Sequence, residues 1–222
     1  MSGVVSGLLD LLFPPRCPFC HRVVPVERSG FCAQCQKTLP WTQEAETEQI
    51  GETFRVCVSP LWYEGDVRES FHRYKFKGWQ GYAKVYGTLM AQCVQDHLAG
   101  QYDGITWVPL SEERRRERGY DQAMLLALAV ALQLNDVAVE TLKKRRNAQA
   151  QSSLHDAAAR RENVRDNYEV TDPELVEGKR ILLIDDVVTT GATLSECAET
   201  LKKAGAADVV CATLARTRKE KE

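Results

Sequence analysis

Asp185 and Asp186 stand at the end of an apolar run, Ile181, Leu182, Leu183 and Ile184, and are followed by Thr189, Thr190, Gly191, Ala192 and Thr193. Two adjacent carboxylates leaving a buried strand are costly unless they face solvent or a ligand. Carboxylates accept hydrogen bonds from sugar hydroxyls, or meet them through a hard cation. The residues beyond them offer hydroxyls and closely spaced backbone N–H groups. Gly191 can take dihedrals that other residues avoid and lets an anion approach the backbone. The same residues open a helix, whose N-terminal end favours negative charge. Together they make a cradle for a ribose phosphate; the plainer alternative is a strand-to-helix turn capped by Thr193. The loop holds no lysine and lacks both G-K-[ST] and G-x-G-x-x-G, so neither a triphosphatase nor a dinucleotide site is expected.

A second group is Cys17, Cys20, Cys32 and Cys35, two C-x2-C pairs with eleven residues between them. Each pair can sit on a tight knuckle and present two thiolates to one metal. Four soft thiolates in a tetrahedron suit zinc. Two disulfides, an iron centre and a degenerate site are the alternatives. Residues 22–31 can form a small hairpin that brings the second knuckle back, and His21 is left out of the ligand set. A segment of this size cannot build a sufficient core, so the metal would supply folding energy there. Zinc ribbons also bind nucleic acid or protein, but Arg16, Arg22, Arg28 and Lys37 are few and scattered. The other four cysteines, Cys57, Cys93, Cys197 and Cys211, have apolar neighbours and read as core thiols.

The elements that must position these groups follow from pattern. Residues 1–15 read as a short amphipathic helix ended by Pro14 and Pro15. Residues 42–53 are polar and acidic and read as a linker. Strand character is expected in 54–65, a helix before Gly78, a second over 81–98, and a strand ending at Pro109. The charged segment 111–122 reads as an exposed loop, followed by a helix to about Gln133. A further strand is expected in 137–144, and 145–168 is polar with little to offer a core. A strand through Asp185, the loop from 186, a helix from Leu194 to Ala204 and a strand through 209–216 make a βαβ unit. The fold class is therefore α/β, a doubly wound parallel sheet with ligands at the carboxyl ends of its strands. The expected division is 1–41 (helix and zinc module), 42–53 (linker), 54–217 (α/β domain) and 218–222 (charged tail).

Composition agrees with a globular chain: 44 % hydrophobic, 27 % charged, formal net charge −2. The balance excludes a strongly basic surface overall, and no apolar run is long enough to span a bilayer. The first residues lack the basic start and cleavage pattern of a signal, so a cytoplasmic location is expected.

Read whole, 181–193 (ILLIDDVVTTGAT) looks like the thirteen-residue motif of type I phosphoribosyltransferases. The chain resembles the ComF family, the ComFC and GntX-like proteins, in which a four-cysteine zinc module precedes a phosphoribosyltransferase-like domain. The resemblance covers nearly the whole chain. It includes Tyr74 to Gly78, Val108 to Leu110, Arg116 to Gln122, and Gln151, Leu154, Arg160 and Asn163. The family usually has Asn-Gln where this chain has Asp121 and Gln122. It implies that Asp185 and Asp186 hold the ribose hydroxyls, directly or through Mg²⁺, and that Thr189 to Thr193 take the 5′-phosphate. The loop after Pro109 would receive pyrophosphate, with Arg116, Arg118 and Lys75 as candidate contacts. A solvated charge run and a surface lysine are the alternatives for these three.

The implied chemistry is displacement of pyrophosphate from 5-phosphoribosyl diphosphate by a nitrogen nucleophile. Some relatives acting on purines have an Asp where this chain has Thr189, and a hydroxyl is a poor general base. No segment marks itself as a cover for an acceptor base. Two functions compete: an active transferase, and an adaptor that keeps the cradle. The family's association with competence implies a helper in DNA uptake, with a helicase or single-stranded DNA as partner. The DNA contacts would be Arg114 to Arg118, Lys143 to Arg146 and the zinc module. No basic run is interleaved with aromatics, so backbone electrostatics would dominate there.

Overall fold

The computed structural model describes residues 14–24, 30–145 and 167–218. The expected N-terminal helix, most of the hairpin between the knuckles, the polar segment 146–166 and residues 219–222 lie outside them. So do Gln151, Leu154, Arg160 and Asn163.

In chain order the elements are α1 (Ala33–Thr38), α2 (Glu44–Thr47), β1 (Glu48–Gln49), β2 (Cys57–Val58), β3 (Leu61–Trp62), α3 (Gly65–Phe76) and α4 (Tyr82–Leu98). There follow β4 (Gly104–Trp107), α5 (Glu112–Arg118), α6 (Gln122–Leu134), β5 (Leu142–Lys144), β6 (Tyr168–Val170), β7 (Arg180–Val188), α7 (Ala192–Lys203) and β8 (Asp208–Arg216). The main sheet runs β1-β2-β8-β7-β4, parallel except for β1 against β2. β3 also pairs with β8, in the register that β2 sets: Cys57 faces Cys211 and Leu61 faces Ala215. The row breaks at Pro60, which has no N–H to donate to a ladder. β5 and β6 form a separate antiparallel pair.

Both faces of the sheet are covered. Along β7, Leu182 and Ile184 face the core made with α3, α4 and α6, whereas Ile181 and Leu183 face the core made with α7. Val210 and Ala212 of β8 repeat the first set, Val209 and Cys211 the second. Period-two alternation with apolar residues on both sides produces the unbroken apolar runs seen in the sequence. The helices pack closely: a Cβ added at Gly87 of α4 would lie 2.4 Å from that of Ala129 in α6. All four cysteines read as core thiols are buried, and burial pushes the Cys57 and Cys93 thiols up to about 12.

The structure corrects several local expectations. Residues 42–53 are not a bare linker: they contain α2 and β1, which joins the main sheet. Buried Arg216 holds them there, one guanidinium nitrogen donating to the carbonyls of Glu46 (2.5 Å) and Glu48 (2.9 Å). The segment read as a charged loop is α5. Ser111 caps it by accepting from the Arg114 N–H, acids occupy its first turn and arginines its last, and Gly119 closes it at φ 78°. These are ordinary helix start and stop signals that charge density obscured. β7 continues through Val188, so Asp186, expected to begin the loop, lies within the strand beside Asp185. Arg218, assigned to the solvated tail, pairs with Glu64 at 3.2 Å and lies 4.4 Å over the Trp62 ring.

The cysteine knuckles share the core of the α/β domain. Cys17, Phe19, Val24, Cys35 and Leu39 belong to the same apolar cluster as α3 and α4. Arg73 of α3 donates to the carbonyls of Pro18 (3.0 Å) and Phe19 (2.6 Å), inside the first knuckle.

Candidate functional site

Asp185 and Asp186 reach the end of β7, where the sheet's parallel strands finish. The Asp186 N–H donates to Asp185 Oδ1 at 2.8 Å. Burial, then the charge of Asp186, push the Asp185 carboxyl up to about 8, against the pull of that N–H and of Lys75. Lys75 Nζ lies 2.7 Å from Asp186 Oδ2, so the lysine expected at phosphate is the counter-ion of the acid pair. It still lines the cleft described next.

Beyond β7 the chain turns through Thr189 and Thr190 to Gly191, the N-cap of α7, at φ 85°. That dihedral lies in the left-handed region where glycine carries no Cβ penalty. Thr190 Oγ1 accepts from the Ala192 N–H at 3.3 Å. Residues 187–194 with Asp185 line a hollow of about 40 Å³. The donor types and the helix start fit a phosphate group.

Asp185, Asp186 and Thr193 also border a cleft of about 180 Å³, together with Lys75, Arg114, Arg118 and Lys144. The structure thus brings Arg118 and Lys75 to the acid pair and leaves Arg116 out. Arg116 is 80 % exposed and sits 3.8 Å from Glu112. Helix geometry is the reason: positions 114 and 118 share a face of α5, and 116 does not. Arg114 and Lys144, expected only as DNA contacts, and Gln122, named only within the family motif, were not among the expected ribose-phosphate contacts. The phase of α5 would have found Arg114; Lys144 and Gln122 arrive through tertiary packing.

Asp121 is buried and its two oxygens are both engaged. Oδ1 accepts from the Met124 N–H at 3.1 Å, capping α6, and Oδ2 accepts from the Leu110 N–H at 2.9 Å. This carboxylate therefore ties the loop after Pro109 to α6.

On the far side of the 189–193 turn, residues 49–52 and Phe54 face Thr189, Thr190, Thr217 and Arg218 across a concavity of about 680 Å³. Thr53 donates to the Ser195 carbonyl at 2.7 Å. The Phe54 ring covers Gly191, with ring atoms 3.5 Å from where a Cβ would stand.

The thiol sulfurs of Cys17, Cys20, Cys32 and Cys35 lie within 4.8 Å of one another. Tetrahedral Zn–S bonds put sulfurs about 3.8 Å apart, which this cluster meets with little movement. Cys32 caps α1, its sulfur accepting from the Cys35 N–H at 3.4 Å. His21 turns its ring to Trp79 at 4.7 Å instead. The set fits structural zinc.

The strand order and the acid pair at the end of β7 place the domain in the phosphoribosyltransferase class, and a family model described as "Phosphoribosyl transferase domain" matches residues 118–222. A second, "Double zinc ribbon domain", matches residues 8–59. The chain is 35 % identical over 222 residues to "DNA utilization protein YhgH" of Salmonella typhi, covering 90 % of each. It is 29 % identical over 205 residues to "Competence protein ComFC" of Streptococcus pneumoniae (90 % of this chain, 80 % of that protein). It is 27 % identical over 222 residues to "Competence protein F" of Haemophilus influenzae (90 % and 96 %). The chain belongs to the ComF family. Among the described residues no helix is long and apolar enough to cross a membrane.

Proposed function

We propose that this chain binds 5-phosphoribosyl diphosphate, or a related ribose phosphate, and serves in the cytoplasm as a helper in DNA uptake and use. The observation that carries the binding is one cleft lined by both Asp185 and Asp186 and by Arg114, Arg118 and Lys144. The acids suit sugar hydroxyls, residues 189–193 suit the 5′-phosphate, and the cations suit a diphosphate. Mg²⁺ takes one or two carboxylates plus substrate phosphates, and Asp185 and Asp186 offer that donor set. When bound, the cation would offset phosphate charge next to the acid pair. Lys75 already neutralises one acid, which lets an anionic ligand come near.

The DNA role is supported by the names of the relatives, a competence protein and a DNA utilization protein. Single-stranded DNA and a competence helicase are the partners that reading calls for. Calorimetry with 5-phosphoribosyl diphosphate and Mg²⁺ tests the ligand. Binding is expected in the wild type and strongly weakened by Asp185→Asn with Asp186→Asn; equal affinity in the double variant moves the ligand elsewhere.

A second reading, an active transferase, is favoured by the concavity between 49–54 and Thr217 and Arg218, which could seat a nitrogen acceptor beside the phosphate loop. Pyrophosphate release, surveyed over bases and amines, separates it from a binding role.

A further inference from the structure

Arg73 lies in the last turn of α3, and its side chain is only 17 % exposed. A guanidinium does not give up its proton, so this is a largely buried positive charge. Folded proteins pair such charges or set them against metal centres. Among the described residues no carboxylate pairs Arg73 closely. Its one acidic neighbour is Glu69, 3.9 Å away and 75 % exposed, where water screens the attraction. The Tyr82 hydroxyl also faces it, but burial raises that phenol above its ordinary value and it stays neutral. The firm contacts are to carbonyls: Nη2 donates to Pro18 at 3.0 Å and to Phe19 at 2.6 Å. Carbonyl oxygens orient a guanidinium without neutralising it.

Pro18 and Phe19 are the two residues between Cys17 and Cys20, so the guanidinium is braced against the turn that carries both sulfurs. Ser70, also on α3, donates to the same Pro18 carbonyl at 2.5 Å and fixes the turn from a second point. Cys17 and Cys35 are buried, and the four sulfurs lie within 4.8 Å of one another. Four thiolates around Zn²⁺ make a centre with two net negative charges. A dianion in so poorly hydrated a place calls for a cation beside it. Arg16 donates to the His21 carbonyl at 3.2 Å, but it is exposed and screened by water. We infer that Arg73 is the buried counter-ion of the zinc centre: it holds the first knuckle by its carbonyls and offsets the charge of the four thiolates. The charge that sets zinc affinity then comes from α3 of the α/β domain, not from the zinc module itself. Substitution by Gln or Met removes the charge; substitution by Lys keeps it and changes the hydrogen bonds.

Zinc affinity is measured by competition with a chromophoric chelator on the full chain and on Arg73→Gln, Arg73→Met, Arg73→Lys and Arg16→Gln. Co²⁺ absorption reports four-sulfur coordination, and melts are run with and without zinc. Arg73→Gln and Arg73→Met are expected to lose about tenfold or more in zinc affinity. Arg73→Lys should stay near wild type, as should Arg16→Gln, whose charge water already screens. The melting temperature of the neutral variants should fall further with zinc than without it, because a counter-ion acts where the thiolate charge is. Equal loss in Arg73→Lys and the neutral variants overturns the inference and leaves hydrogen bonding as the role of Arg73. Unchanged affinity in a folded neutral variant, or an equal fall in the two melts, overturns it too. If one neutral variant fails to fold, the other decides; failure of both with zinc present shows that α3 itself needs Arg73 and also overturns the inference. A wild type that holds no zinc sinks it together with the zinc reading.

Discussion

Lys75 Nζ and Asp186 Oδ2 lie 2.7 Å apart, joining the last turn of α3 to the end of β7, with side chains only 21 % and 14 % exposed. The bond spans more than a hundred residues of chain and sets the charge of the cleft floor. Lys75→Met is expected to lower stability by about 2 kcal/mol, because it strands a half-buried carboxylate. It should also weaken binding of any phosphate ligand in Mg²⁺-free buffer. Chemical denaturation and ribose 5-phosphate titration check both; a variant as stable as wild type would mean that solvent screens the pair.

Asp185 titrates abnormally, from an ordinary value of 3.8 up to about 8, through burial and then the charge of Asp186. The folded protein therefore keeps a proton that the unfolded chain releases, so this residue makes stability fall as pH rises from about 4 to about 8, and no further above that. Asp185→Asn removes the titration. In Mg²⁺-free buffer the melting temperature of the variant, relative to wild type, should climb between pH 5 and pH 8. A constant difference across that range would show that Asp185 titrates normally.

Asp121 satisfies the N–H groups of Met124 and Leu110 with its two oxygens. Asn is an equally good helix cap but has one acceptor oxygen, so one N–H would face an amide NH₂. Asp121→Asn is expected to cost about 1–2 kcal/mol. Hydrogen exchange should quicken at Leu110 or Met124. An unaltered exchange pattern would argue against the double role.

Zinc content near one per chain is expected, with Cys17→Ser lowering it. An independent module would unfold alone on chelation. Here Arg73 holds the Pro18 and Phe19 carbonyls, and Phe19 packs 5.8 Å from Tyr86. Chelation should therefore loosen α3 as well, read as faster exchange over 65–76, while β7 and β8 stay protected. Loss confined to residues before 41 would restore the independent module.

Phe76 is 62 % exposed and the Arg118 guanidinium sits 5.2 Å from its ring. Lys75 and Arg114 line the same hollow. The sequence has no interleaved basic and aromatic run, but the fold brings exposed Phe76 of α3 against Arg118 of α5. Phe76→Ala is expected to weaken single-stranded DNA binding about tenfold. Replacing Arg114 and Arg118 with Ala should flatten the slope of log affinity against log salt by about 1.4. Fluorescence anisotropy over a salt series reads both, and an unchanged slope would clear α5 of DNA contact.

Features that depend on near neighbours in the chain were legible in the sequence itself. The knuckle spacing of Cys17, Cys20, Cys32 and Cys35, the apolar run of β7, the acid pair and the glycine that opens α7 each lie within some twenty residues of chain. The α/β class follows from the order of such segments. Only the tertiary structure decided what those groups meet. Lys75 became a counter-ion because α3 docks beside β7. Arg118, not Arg116, reached the cleft because α5 is a helix with a definite phase. Glu48 and Gln49 joined the sheet, and Arg216, some 170 residues on, holds the carbonyls of Glu46 and Glu48 beside it. Hydrogen bonds and ion pairs act over a few ångströms in space, and local periodicity does not record which distant residues the strand order brings within that range.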